Sequence, residues 1–160
     1  MEHVVHTFPP VFDARSRVLI VGSLPSVKSR EEGFYYGNPH NRFFRVVSTL
    51  LRMPLPQSNE EKRELLLAGR IAVFDAIAEC DIMGSSDASI KNARPNDFSM
   101  IFEIADIRQV FANGALAHKY YTKYVGGAVR LPSTSPANAA YSLERLVGAW
   151  SVVCPYLDEA

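Results

Sequence analysis

Apolar positions in this chain come in two kinds of run. Short apolar-rich stretches at 17–22, 71–74, 107–112 and 128–131, unbroken over 18–21 and 71–74, have the length of strands and are bounded by glycine, aspartate, asparagine or proline. Continuous apolar runs of that length suit strands buried on both faces of a sheet. Between them the spacing changes. Phe43, Val46, Val47, Leu50 and Leu51 recur at helical intervals and predict a helix from His40 or Asn41 to about Arg52, ended by Pro54 and Pro56. Ser58 and Glu61 match a capping box, which predicts a helix over 59–68 closed by Gly69. Further helices are expected over 98–105 with Asn96-Asp97 as the cap, over 115–124, and over 139–152 with Asn138 as the cap. A helical turn is expected over 76–80. Residues 1–16 read as an extended arm, because Pro9 and Pro10 exclude helix there.

Strands that alternate with helices imply a parallel sheet with right-handed crossovers. The expected fold class is α/β: a three-layer α/β/α arrangement around a central, mainly parallel, four-stranded sheet. Residues 1–160 are expected to form a single domain, with 1–16 as its arm. Parallel strands share a direction, so the strand ends at Gly22, Asp75, Asn113 and Pro132 should meet at one rim. The polar loops 23–42, 75–94 and 132–138 would then converge there, where ligands collect in open α/β sheets.

Composition narrows the chemistry. Seventeen basic side chains balance seventeen acidic ones, which excludes a uniformly basic nucleic-acid binder and leaves room for a local basic patch. Cys80 and Cys154 stand far apart, form no C-x-x-C and cannot hold a four-cysteine metal or iron–sulfur site. The N-terminus lacks a signal-peptide pattern and no apolar run is long enough to span a bilayer, so a reduced, cytoplasmic, non-membrane protein is expected. His3 and His6 read as exposed terminal histidines. The chain has no G-x-G-x-x-G after its first strand, no P-loop, no G-x-S-x-G elbow and no H-E-x-x-H. The loop after the first strand is instead rich in aromatics and amides: Phe34, Tyr35, Tyr36, Asn38, Asn41, Phe43 and Phe44. Rings beside amides suit a planar heterocycle such as a nucleobase. They equally suit a structured loop folded back on the core.

Four ordered motifs carry a family likeness. They are Gly22-Ser23-Leu24-Pro25-Ser26; Tyr35-Tyr36…Pro39…Asn41-Arg42-Phe43-Phe44; Ala72-Val73-Phe74-Asp75-Ala76 with Gly84-Ser85…Asp87…Ile90; and Leu131-Pro132-Ser133-Thr134-Ser135-Pro136-Ala137. Together they resemble the uracil-DNA glycosylase superfamily over nearly the whole chain, and most closely its hypoxanthine-DNA (deoxyinosine) glycosylase branch. That branch is related to the mismatch-specific and thymine-DNA members. Two departures stand out: Phe44 occupies the place of a tryptophan, and Leu24 the place where most of the superfamily carries Asp, Asn or Glu.

The resemblance implies a monofunctional DNA repair hydrolase. It would flip a deaminated base (hypoxanthine, uracil or xanthine) out of DNA, cut its N-glycosidic bond and leave an abasic site, as a monomer without cofactor or metal. By the same likeness Asn41 is the catalytic amide, with Asn38 as runner-up, and Gly22, Ser23, Tyr36 and Asp75 bind the base. Ser26, Lys28, Arg30, Lys91, Arg94, Ser133, Thr134 and Ser135 face DNA, and the late loop acts as the wedge. Each assignment has a plainer counterpart: Asn41 and Asp75 are also suited to helix caps, Asp87 to ordering its own loop, and the late loop to a proline turn. Leu24 keeps open a non-catalytic module that binds nucleic acid or nucleotide on the same rim.

Overall fold

A computed structural model describes residues 1–84 and 86–158. Ser85, one member of the second-strand motif, lies outside the described residues. Strand β1 is Glu2–Val5, β2 is Val18–Gly22, β3 is Ile71–Asp75, β4 is Ile77–Ile82, β5 is Lys91–Pro95, β6 is Gln109–Asn113 and β7 is Val129–Leu131. The α-helices are α1 Val27–Glu32, α2 Phe43–Leu51, α3 Asn59–Ala68, α4 Ser99–Ile104, α5 Ala115–Tyr124 and α6 Leu143–Trp150.

The four predicted strands form one parallel sheet in the order β3-β2-β6-β7. Val18, Leu19, Ile20 and Val21 are all buried, as expected of a central strand covered on both faces. From β2 the chain moves to β3 on one side, and from β6 it moves to β7 on the other. Right-handed crossovers then place α2 and α3 over one face and α4 and α5 over the opposite one; α6 packs against α2. The reversal falls between β2 and β6. Neighbouring crossovers leave the sheet in opposite directions there and open a crevice beyond Gly22 and Asn113.

A second sheet was not expected. β1, β4 and β5 pair antiparallel in the order β1-β4-β5. The segment 76–80, read as a helical turn, is thus mostly strand β4. Ile77, Cys80 and Ile82 are buried and the residues between them are half-buried, a pattern too irregular to show in so short a window. The arm is not free either: β1 caps this sheet, Val11 bridges antiparallel to Val73, and the Tyr35 hydroxyl donates to the Pro9 carbonyl. Loop 23–42 contains α1, capped by Ser26 and closed by Gly33 in the left-handed conformation.

Most local predictions hold. Ser58 Oγ accepts from the Glu61 N–H at 3.1 Å, as the capping box requires. Asp97 caps the α4 region by accepting from the Ser99 N–H at 2.9 Å. The last helix is shorter than predicted. It starts at Leu143 behind a Ser142 cap, and Asn138 instead donates its amide to the Ser133 carbonyl. After Trp150 the chain tightens into a 3₁₀ helix, Ser151–Leu157.

Two substitutions separate core from cap. Ile20→Ala, in a strand buried on both faces, should cost about 2–5 kcal/mol. Ser58→Ala should cost about 1 kcal/mol. Urea denaturation of the two variants beside the unaltered protein measures both, and equal losses would contradict the burial of β2.

Candidate active site

Loops from the strand ends line one cleft of about 1040 Å³ at the crevice. Gly22 to Arg30 form one wall, with Tyr35, Tyr36, Asn38 and Asn41 beside them. Asn113 to Leu116 and Ser133 to Ala137 form the facing wall, and Asp75, Ile82, Gly84 and Asp87 close the end. All three predicted loops therefore reach the cleft.

The floor depends on a missing side chain. A Cβ built on Gly22 would lie 2.2 Å from Asp75 Oδ1 and 3.3 Å from the Tyr36 hydroxyl. Only glycine lets the carboxylate from β3 and the phenol of Tyr36 approach over the end of β2. Asp75 is buried, and its Oδ2 accepts from His6 Nε2 at 3.0 Å. His6, expected to be exposed, has a side chain only 2% exposed, because the arm folds inward as β1 and carries it under the floor.

The facing wall is ordered by amides. Asn113 donates from Nδ2 to the Tyr36 hydroxyl at 3.2 Å and to Thr134 Oγ1 at 2.9 Å, and its Oδ1 accepts from the Thr134 N–H at 3.0 Å. Thr134 Oγ1 in turn donates to Asn41 Oδ1 at 2.8 Å. Asn41 Oδ1 also accepts from the Phe43 N–H at 2.9 Å, so Asn41 does act as a cap at the start of α2. Counting donors and acceptors assigns the rest. Asn113 spends both protons and its oxygen inside the network. Asn41 spends its oxygen twice, which orients the amide and leaves the Nδ2 donors. Tyr36 accepts from Asn113 and keeps its own proton to donate. Burial first, then the neighbouring Asp75 carboxylate, pushes the Tyr36 phenol well above its usual range, while the Asn113 bond opposes this. Tyr36 therefore stays a phenol. One ring face stacks on Phe43 at 4.0 Å, and Phe43 is fully buried. Tyr36 also holds φ +53°, a left-handed conformation uncommon for a residue other than glycine.

Asn38 is less committed to the wall. Its Oδ1 accepts from the His40 N–H at 2.9 Å, and its carbonyl accepts from the Asn41 N–H at 2.9 Å. Tyr35, one ring neighbour in the loop, is buried core.

The late loop is clamped from below. The Arg42 guanidinium donates to the carbonyls of Tyr141, of Ser135 at 3.1 Å and of Asn138 at 3.0 Å. Trp150 Nε1 donates to the Pro132 carbonyl at 2.9 Å. Thr134 is fully buried, while Ser133 Oγ accepts from the Ser135 N–H and Ser135 Oγ from the Ala137 N–H. Gly114, at φ +93°, lets Ser133 pack 3.0 Å from the place of its absent Cβ.

The expected cations are spread more widely. Lys28 lies 3.6 Å from Glu32, and Arg30 pairs with Glu2 at 3.0 Å; both border the cleft, as does Ser26. Lys91 and Arg94 sit on β5, outside the cleft lining, with Arg94 3.2 Å from Glu79. Ser23 and Leu24 line the cleft, Leu24 packed against the core. His6, beneath the floor, and Asn113 and Lys119, in the cleft lining, were not singled out for the site from sequence. Asn113 had a signal, since it ends a predicted strand at the rim. His6 and Lys119 had none.

With this geometry in place, comparison with known proteins gives consistent matches. The sequence model of the Uracil DNA glycosylase superfamily matches residues 9–152. A protein from Methanosarcina acetivorans named Hypoxanthine DNA glycosylase is 36% identical over 143 residues, which is 86% of this chain and 90% of that protein. One of the same name from Methanosarcina barkeri is 33% identical over 115 residues, 71% of this chain and 73% of the other. A solution NMR structure of a candidate uracil DNA glycosylase from Methanosarcina acetivorans superposes with a TM-score of 0.79 at 34% identity, covering 94% of this chain and 96% of that one.

The clamp can be tested on the isolated protein. Arg42→Ala should raise hydrogen–deuterium exchange across 133–142 and leave the β2 amides protected. Unchanged exchange in that loop would show that Arg42 does not hold it.

Proposed function

We propose a glycosylase acting on deaminated bases in DNA: the chain belongs to the uracil DNA glycosylase superfamily, and hypoxanthine is the leading substrate, with uracil and xanthine behind it. The observation that carries this reading is the set of groups left over at the cleft floor. Asp75 Oδ1 is an acceptor and the Tyr36 hydroxyl a donor, both close over Gly22, and Asn41, with its Nδ2 donors uncommitted, lines the same cleft. A base lifted out of the helix needs such groups on its edge and a dry pocket around it.

Cleavage at deoxyribose C1′ develops positive charge on the sugar and negative charge on the leaving base. Asn41, with its oxygen tied by Phe43 and Thr134, holds its amide donors ready for the departing base or for the attacking water. Such preorganised donors contribute most where water is excluded. Asp75 accepts the ring N–H of the base. Tyr36 and Gly22 shape the floor, Ser23 borders it, and Asn113 positions both Tyr36 and Asn41 without touching substrate. Water enters, the N-glycosidic bond breaks, the base leaves with its electron pair and takes up a proton, and the sugar keeps the hydroxyl. Leu24 cannot orient water, which concentrates the polar work on Asn41, and no cofactor or metal is needed. Ser133 and Ser135, on the clamped loop, contact phosphates, and the loop tip takes the space of the flipped nucleotide.

Duplexes containing deoxyinosine, deoxyuridine or deoxyxanthosine, followed by alkali, test the reading directly. Strand breaks at the modified position are expected. Binding without breaks would leave a non-catalytic module in its place. Asn41→Ala should lower excision by about 10²–10³-fold with DNA affinity kept, and normal excision beside an inactive Asn38→Ala would move the role to Asn38.

Charge balance shapes how DNA is held. Lys28, Arg30 and Arg94 already have acidic partners within 4 Å, so about three to five phosphate contacts are expected, each contributing about −0.9 to the salt slope. Lys91→Ala should weaken all sequences alike and reduce the slope by about one. Unchanged slope and affinity for both Lys91→Ala and Arg94→Ala would place the β4–β5 hairpin away from DNA.

A further inference from the structure

The inward fold of the arm buries a polar pair that packing does not require. The side chains of His6 and Asp75 are 2% and 6% exposed. The imidazole is wedged among Phe8 at 4.4 Å, Tyr35 at 5.7 Å and Phe74, edge-on, at 5.5 Å. The His6 N–H donates to the Ala78 carbonyl at 2.7 Å, so backbone and ring are both held. An apolar side chain would fill the same space without the desolvation that a buried imidazole and carboxylate incur.

The consequence lies at the other oxygen. Oδ2 faces His6, while Oδ1 stands over Gly22 at the cleft floor. Resting on the glycosylase reading above, we propose that His6 is a positioning residue that fixes Asp75 as a single-oxygen acceptor and thereby sets the preference for bases with a ring N–H over bases with a bare ring nitrogen. Hypoxanthine and uracil carry a ring N–H beside a carbonyl. Adenine and cytosine present a lone pair at that ring position. A fixed acceptor pairs with the first kind and faces the lone pair of the second, and a site that leaves a buried polar group unpaired rejects the wrong ligand steeply. A carboxyl free to turn or to carry a proton would offer a donor as well, and the distinction would narrow.

Three proteins test this: the unaltered chain, His6→Phe, which keeps ring bulk without the donor, and His6→Gln, which restores an N–H. Single-turnover excision is measured on duplexes differing only in deoxyinosine or deoxyadenosine, and affinity is measured for a duplex with an abasic-site analogue, which has no base to read. His6→Phe should lower hypoxanthine excision about 10–100-fold and narrow the hypoxanthine-to-adenine ratio, with abasic affinity kept. His6→Gln should recover most of both. An unchanged ratio in His6→Phe, or a His6→Gln protein as impaired as His6→Phe, overturns the role. ¹⁵N NMR of the imidazole needs no variant. A proton on Nε2, with a shift on adding free hypoxanthine and none with adenine, is expected; a bare Nε2, or equal shifts with both bases, overturns the proposal even if the variants do not fold. An unaltered protein that excises neither base overturns the enzymatic reading instead, and the NMR result still decides the arrangement of His6 and Asp75.

Discussion

The site depends on the close approach over Gly22. Strand β2 ends there between two neighbours, β3 with Asp75 on one side and β6 with Asn113 on the other. Any side chain at that position would occupy the point where the carboxylate and the Tyr36 phenol come together. The sheet topology supplies the crevice, and the missing Cβ turns it into a floor with a charge and a hydroxyl facing the same space. Burial, and after it the nearby carboxylate, raises the energy of a phenolate at Tyr36, which is why Tyr36 remains a donor. Acceptor and donor are kept distinct by burial and proximity together.

The facing wall solves a different problem. Its loop, 132–138, has little regular structure of its own, and loops of this kind move unless their backbone groups are taken up elsewhere. Arg42 takes up three carbonyls and Trp150 a fourth, while Asn113 holds Thr134 at both its N–H and its hydroxyl. Two of these groups come from segments already rigid for other reasons: Arg42 abuts the buried start of α2, and Trp150 is core. The arginine in the N-R-F-F segment is therefore a clasp between two loops. Its charge is spent on carbonyl oxygens, and Asn41 beside it gains a fixed orientation from the same junction.

What the chain reveals in advance follows from how local each signal is. The four parallel strands, the Ser58 capping box and the stripe from Phe43 to Leu51 are written in contiguous residues, and all are found where periodicity puts them. The antiparallel sheet is not local. β1 pairs with β4 across more than seventy positions, and neither strand alternates cleanly. His6 follows from that miss, because its burial exists only once the arm has paired. The gathering of Gly22, Tyr36, Asn41, Asp75 and Thr134 at one cleft was legible, since all five lie at predicted strand ends or in motifs of a recognisable family. Asn113 was visible as a strand end but not as a hub, because a hub is defined by its bonds to other segments, here three bonds to Tyr36 and Thr134.

Zero net charge and a DNA substrate are compatible once the work is divided. Cations near the rim are already engaged: Arg30 with Glu2, Arg94 with Glu79, Lys28 with Glu32 and Arg42 with carbonyls. Such exposed pairs are worth little individually, so a phosphate can displace an acidic partner at small cost. Arg42 is different, because leaving its carbonyls would release the loop that it organises. Under the function proposed above, holding the duplex would fall to hydroxyls, backbone N–H groups and a few exchangeable cations, whose contacts fix register without adding much affinity. Under that same proposed function, selection falls to the floor, where one acceptor and two donors would meet a base stripped of water. A weak grip on the backbone together with a strict reading of the extruded base lets such a protein leave ordinary sequence quickly and stay only where the base fits.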